Sequence, residues 1–346
     1  MGPLLALALA TAEYKIEPAA KHAYVMDAEF NGFLPILGGN EGKAEIRMGV
    51  AVTGESKSEN ELKIASEISS FSIKFNEAPL PLGLDAVQDF FPKAVVTISK
   101  QGKVLANTAP NTPLPVRLPG LDPRRMPDIT FVPLEFSNEE IKPGLTWKFD
   151  RDFSGAPLAY TCKVESVEGD VATVSVAVKQ EFTALENDGL EVVKNEADAT
   201  ASVKTEMTGE GRVWFNLAGG YALGSEMRNV AISTVTPLKQ GKKGERRLTT
   251  RLSVARSGFT IPKTAATPQK DNVANTPPPA RTTPSFNTGS AHLDQALGFV
   301  RSGWDWAGQQ VTNWWASLQS WRMMAALAVS QVPMLGPTLA KGLIRG

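Results

Sequence analysis

The chain has 346 residues, 42% of them hydrophobic, which suffices for a sizeable core in about two domains, or one large domain with appendages, and excludes a disordered chain. Its 36 Lys and Arg balance 36 Asp and Glu, so no overall field recruits nucleic acid or anionic lipid. A single cysteine, Cys162, excludes an intramolecular disulfide and leaves packing to hold the fold.

Residues Leu4 to Ala10 are free of polar side chains and run into Ala10-Thr11-Ala12. An apolar run ending in A-x-A is the pattern of a secretory signal peptide, cut here after Ala12 to leave Glu13 as the first residue. No Lys or Arg precedes the run, and Glu13 stands where a lipid-modified cysteine would be needed. The alternative reading is a short buried segment at the N-terminus.

From Tyr14 to Arg256 the dominant signal is alternation with period two. Ala44, Ile46, Met48, Val50 and Val52 face one way, while Lys43, Glu45 and Arg47 face the other. The preceding Gly38-Gly39-Asn40-Glu41-Gly42-Lys43 lacks the glycine spacing and the Ser or Thr of a phosphate loop, and reads as a hairpin turn. Helical periodicity before residue 290 is confined to a turn or two near Leu84 to Phe91. Prolines 110, 113, 115, 119, 123 and 127 then interrupt the strands with a strap that crosses the surface or joins two β halves.

Asp150-Arg151-Asp152-Phe153-Ser154-Gly155 imitates the first half of a calcium loop, but Thr161 occupies the position of the bidentate Glu, so a polar turn between strands is the better reading. Leu158, Tyr160, Cys162 and Val164, the turn Glu168-Gly169-Asp170, and Ala172, Val174, Val176 and Val178 describe a β-hairpin. Cys162 falls on its apolar face as a small buried hydrophobe. Neither His22, in a strand, nor His292, in the C-terminal tail, is placed as the base of a nucleophilic triad. One-sided alternation throughout points to an antiparallel sheet with one wet face.

Gly209-Glu210-Gly211-Arg212-Val213-Trp214-Phe215-Asn216, followed by Gly219-Gly220-Tyr221 and preceded by Pro143-Gly144-Leu145-Thr146-Trp147, resembles a pattern found in bacterial secreted proteins and lipoproteins of unknown function. That resemblance covers residues 14 to 256. It implies repeated antiparallel half-barrel sheets and an envelope location, and it carries no catalytic residues across. Paired strands around Gly102 and around Gly219-Gly220 fit a duplicated unit. The five cations of Lys239 to Arg247 read as the solvated tip of a later hairpin rather than a phosphate site.

Residues 262 to 290 are rich in Pro and Thr, the composition of an extended linker. Beyond it, Leu293, Leu297, Val300, Trp304, Ala307, Val311, Trp314, Leu318, Trp321, Ala325, Ala328 and Val332 recur at alternating spacings of four and three, which places them on one stripe of an amphipathic helix. The stripe has three possible destinations: the chain's own sheet, a membrane interface, or a protein partner.

The expected fold is therefore mainly β: an antiparallel half-barrel or sandwich body with a C-terminal amphipathic helix. Its expected divisions are a signal peptide at 1–12, β halves at 13–109 and 128–261, a Pro-rich strap at 110–127, a linker at 262–290 and the helical tail at 291–346. The expected function is that of an exported, non-catalytic envelope protein that binds or scaffolds, with Leu297, Trp304, Val311, Trp314, Leu318 and Trp321 contacting a membrane or partner. No metal or cofactor is called for, nucleic acid is not expected, and any small ligand is unspecified. The alternative is an exported enzyme with a carboxylate site. Paired acids lining a concave face would favour that enzyme, and an apolar groove without them would favour the binder.

Overall fold

Strands far longer than the usual five or six residues dominate the computed structural model, which describes residues 11–35, 39–80, 82–109, 123–153 and 156–262. The tail stripe and most of the signal-like segment lie outside these residues.

Two meanders build one sheet. The first runs β1 (Lys21–Leu34), β2 (Asn40–Lys57), β3 (Glu61–Phe75), the two-residue β4 (Ala78–Pro79), a single-turn α1 (Leu84–Val87), β5 (Ala94–Ser99) and β6 (Val104–Asn107). The second runs β7 (Thr146–Phe153), β8 (Ala156–Glu168), β9 (Val171–Glu186), the short β10 (Val192–Val193), β11 (Ala201–Asn216), β12 (Tyr221–Pro237) and β13 (Gly244–Arg256). All pairings are antiparallel, and the order across the 13-stranded sheet is β6-β5-β3-β2-β1-β13-β12-β11-β9-β8-β7, with β10 on β9 and β4 on β3. The first meander thus travels outward to one edge, and the second returns from the opposite edge until β13 pairs with β1 at the centre. This is a single open sheet rather than the two facing sheets of a sandwich.

The alternation read from the sequence sets its two faces. Tyr24, Met26, Ala28 and Phe30 of β1, Ala44 to Val52 of β2, Leu158 to Val164 of β8 and Ala172 to Val178 of β9 bury their inward positions in one core. The opposite face carries ion pairs such as Arg47 with Asp27 at 3.1 Å and Arg212 with Glu165 at 2.8 Å. These line a broad trough of about 1200 Å³. Their charges are largely spent on one another and on solvent.

Because β6 and β7 occupy opposite edges, the chain between them has to cross the whole sheet. Its described part, from Pro123 onward, crosses on the apolar face. A 3-10 turn (Pro123–Arg125) leads into α2 (Met126–Ile129), then an irregular stretch buries Phe131, Val132, Leu134 and Phe136. The described end of the proline stretch runs inside, with Pro123 and Pro127 buried, on the link between the two β halves. Irregular backbone is tolerated there because side chains and sheet ends satisfy its polar groups. Tyr14 Oη donates to the Leu134 carbonyl at 2.9 Å, and Trp147 Nε1 donates to that of Glu135 at 2.7 Å. Rings of Tyr14, Phe136, Phe215 and Trp147 meet edge-on or tilted at 4.7 to 6.0 Å.

The N-terminal segment joins this plug. Ala12, Tyr14 and Ile16 are buried, Tyr14 N donates to Lys100 O, and Thr11 bridges Glu140. The cleavage point expected after Ala12 falls inside this packed segment.

Candidate functional site

Plug and sheet do not fill the space between them. A cavity of about 260 Å³ remains, roofed by Arg125, Asp128, Ile129 and Pro133. Its walls are inward positions of six strands: Ala28 and Phe30 of β1, Leu248 and Leu252 of β13, Met227 and Ala231 of β12, Met207 and Val213 of β11, Val176, Val178 and Phe182 of β9, and Leu158 of β8. Most of this lining is aliphatic or aromatic, the composition of a small-molecule pocket.

Two glycines beside the cavity mark where β11 and its neighbours approach most closely. On β11 the inward positions are Val203, Thr205, Met207, Gly209, Gly211, Val213 and Phe215, so the centre of that strand presents no side chain to the interior. A Cβ at Gly209 would stand 1.9 Å from Asn229 Oδ1 and 2.7 Å from Val178 Cγ2. One at Gly211 would stand 2.0 Å from the Glu226 carbonyl oxygen. Asn229 therefore leans across Gly209, while β12 closes against Gly211, and neither would fit over an alanine.

The polar lining is sparse. Asn229 Oδ1 is buried without a hydrogen-bond partner among the described residues. Thr205 and Ser233 share a hydroxyl hydrogen bond of 2.8 Å, and Gln180 Nε2 donates to Ala156 O at 2.9 Å. The cavity can thus enclose an apolar molecule and offer it neutral hydrogen-bonding groups.

Charge in the roof is held by a buried ion pair. Arg151 of β7 places Nη1 3.0 Å from Asp128 Oδ1, with both side chains almost wholly buried. Its guanidinium carbon lies 5.2 and 5.7 Å from the centroids of Phe149 and Tyr160, two rings stacked 4.4 Å apart. Burial is the largest influence on the Arg151 pKa and would lower it, but Asp128, Tyr160, Tyr14 and Glu135 together outweigh it and the net shift is upward. Burial raises the Tyr14 and Tyr160 phenols above their ordinary value, so both stay neutral beside this pair. Burial also pushes the Cys162 thiol up to about 12, which removes the thiolate a nucleophile needs.

Other candidates from the sequence fall elsewhere. His22 stands on β1, where its Nδ1 accepts from Arg256 Nε at 3.0 Å and its ring meets Tyr221. Asp150 lies within β7 opposite Ala159, so the polar turn expected from Asp150 onward is strand as far as Phe153, and among the described residues no group of three or more His, Cys, Asp or Glu is placed to hold a metal. Lys239, Lys242 and Lys243 form the exposed tip between β12 and β13, as expected, whereas Arg246 and Arg247 lie in β13 and Arg246 pairs with Glu186. Leu297, Trp304, Val311, Trp314, Leu318 and Trp321 lie outside the described residues. The glycine motif proves structural: Gly209 and Gly211 admit neighbouring atoms, Val213 and Phe215 enter the core, and Trp214 packs against Phe259 on the other side.

Sequence reasoning missed the cavity residues themselves. Thr205 and Asn229 were legible as polar interruptions of an apolar face, and Asp128 as an acid in a proline-rich stretch beside hydrophobic residues.

No family model matches the chain, and no curated protein matches it. Among solved structures it is similar to one titled for lipid-protein interactions in lipovitellin, with 13% identity and a TM-score of 0.39 over 72% of this chain and 26% of that one. It is also similar to DynF from the dynemicin biosynthesis pathway of Micromonospora chersina, with 7% identity and a TM-score of 0.21 over 76% and 94% of the two chains. A third is OccK11 (OpdR) of Pseudomonas aeruginosa, with 8% identity and a TM-score of 0.16 over 70% and 99%. The chain spans about a quarter of the lipovitellin chain it matches.

Proposed function

We propose that the protein is an exported, non-catalytic binding protein of the cell envelope, and that its β body carries an apolar or amphipathic small molecule in the cavity beneath α2. The observation that supports this reading is the roofed, mostly aliphatic cavity between plug and sheet. Its one acid, Asp128, is committed to Arg151, so the paired free carboxylates of a hydrolytic site are not what lines it. The compartment is read from the apolar run Leu4 to Ala10 and the A-x-A that follows. Cleavage after Ala12 then has to precede folding, because Ala12 and Tyr14 are buried in the plug. The Trp-rich stripe at 291–346 serves as a tethered element for a membrane interface or a partner.

Titration of the full chain with N-phenyl-1-naphthylamine, a probe that brightens in apolar surroundings, tests the cavity. Saturable enhancement is expected, and Ala231→Phe, which fills the cavity from β12, should weaken it by about tenfold, the loss of roughly 1.4 kcal/mol of binding. Absence of saturable binding, or identical binding by a folded Ala231→Phe variant, refutes the reading.

A further inference from the structure

Polarity interrupts the floor of the cavity at one level of the sheet. Asn229 of β12 stands directly opposite Thr250 of β13, which stands opposite the buried Phe30 of β1. Both side chains are therefore on the inner face, and both line the cavity. The next inward pair toward Ser225 is Met227 and Leu252, and the next pair the other way is Ala231 and Leu248. All four line the cavity too, and none of their side chains carries an N–H or O–H group. An amide and a hydroxyl thus lie in mid-floor, with apolar lining on either side along the strands.

The Asn229 amide is oriented by its neighbour on β11. Its Oδ1 is buried without a hydrogen-bond partner among the described residues. That oxygen lies 1.9 Å from where a Cβ on Gly209 would be, so it faces the glycine's own Cα–H. A C–H···O contact of this kind suits the oxygen of an amide and not its NH2 group. Because the amide is planar, seating Oδ1 on β11 leaves Nδ2, with its two N–H donors, as the end turned to the cavity. Gln180 and Thr205 line the same floor, but Gln180 Nε2 is engaged by Ala156 O and the Thr205 hydroxyl by Ser233. A donor held in apolar lining is costly until an acceptor meets it.

We propose that the cavity selects an uncharged carbonyl compound with an apolar arm on each side, a ketone or an ester, whose oxygen accepts from Asn229 Nδ2 and the Thr250 hydroxyl. This rests on the cavity reading above and specifies the ligand. One arm lies over Met227 and Leu252, the other over Ala231 and Leu248. A fatty carboxylate or a primary alcohol carries its oxygen at one end, so it cannot bond Asn229 and also fill both sides. A hydrocarbon fills both sides and leaves the donors unmet.

The test is competition against N-phenyl-1-naphthylamine on the full chain. The isomers 6-undecanone and 2-undecanone share size and functional group, so only the carbonyl position differs. The former should displace the probe at about fivefold lower concentration, the contribution of one neutral hydrogen bond. Pentyl hexanoate, an ester with the same two arms as 6-undecanone, separates ester from ketone by which of the two competes better. Asn229→Ala should bring the ratio between the undecanone isomers to about one, whatever it does to the probe, and Thr250→Val should narrow it. On the wild type, the infrared carbonyl stretch of bound 6-undecanone should lie below its position in hexane. Equal displacement by the two isomers, a stretch at the hexane position, or an unchanged ratio in a folded Asn229→Ala variant overturns the proposal and leaves the cavity reading standing. Absence of probe binding by the wild type strikes both.

Discussion

Removing Asp128 should damage this protein more than any surface acid. Its carboxylate lies 3.0 Å from Arg151 Nη1, and both side chains are almost inaccessible. At an effective dielectric constant of about 20, a pair at that distance gains on the order of 5 kcal/mol, close to what desolvating the two ions costs. The pair is therefore worth little net, yet neither member is dispensable alone. Asp128→Ala leaves the Arg151 charge buried beside Phe149 and Tyr160, and a loss of about 3–5 kcal/mol is expected. Replacing both partners, as in Asp128→Leu/Arg151→Met, should recover most of it. Urea denaturation of the four proteins measures the coupling. Because the pair pins α2 to β7, the singly substituted proteins should also lose naphthylamine affinity and the double one regain it. If Asp128→Ala costs under about 1 kcal/mol, or if the two single losses simply add in the double variant, the reasoning about an uncompensated buried charge fails.

Two further outcomes follow from particular contacts. Gly211→Ala should cost more than Gly209→Ala, roughly 3 against 1 kcal/mol, because the former meets the fixed Glu226 carbonyl and the latter a movable Asn229 side chain; urea midpoints rank them, and the reverse order contradicts this account of the close approach. His22 is held below its ordinary pKa by burial and then by the Arg256 charge, and Arg256 donates to its Nδ1, which requires the neutral ring. The unfolded chain thus binds the proton first, so stability should be full above about pH 6.5, fall as pH drops below it, and level off beneath the folded pKa. Melting temperatures of wild type and His22→Gln between pH 5 and 8 should converge toward acid, and parallel curves would exclude this role.

Much of the sheet was legible because its alternation is one-sided. Ala44 to Val52 and Leu158 to Val178 declared both the strands and the buried face, and Glu168-Gly169-Asp170 declared the turn between them. Order across the sheet was not legible. Nothing local in Thr249 or Val254 says that β13 will lie between β12 and β1, since that pairing is decided by which apolar faces remain uncovered after both meanders form. What the plug covers was not legible for a related reason. Prolines signal only what the backbone cannot do, and the apolar run Phe131-Val132-Pro133-Leu134-Glu135-Phe136 lacks a period that says what it covers. The cavity stayed hidden because it is an absence. Its lining residues are scattered over six strands and the plug, so no local motif announces it.

An open sheet of such long strands carries two hazards, a wet apolar face and two unpaired edges. The edges are managed by brevity and charge. β6 has four residues, and β7 alternates Lys148 and Asp150 outward against Trp147, Phe149 and Arg151 inward. The face is managed by the connection that topology forces to cross from one edge to the other. That connection can cover the face only if its own polar backbone finds partners, which ties it to a few fixed points: Tyr14 at Leu134, Trp147 at Glu135 and Arg151 at Asp128. Between those points it bridges the sheet without following it. The cavity is thus a consequence of covering a broad sheet with a narrow segment pinned at intervals. A ligand that fills it restores contacts the plug alone cannot make, so occupancy and the docking of α2 are coupled.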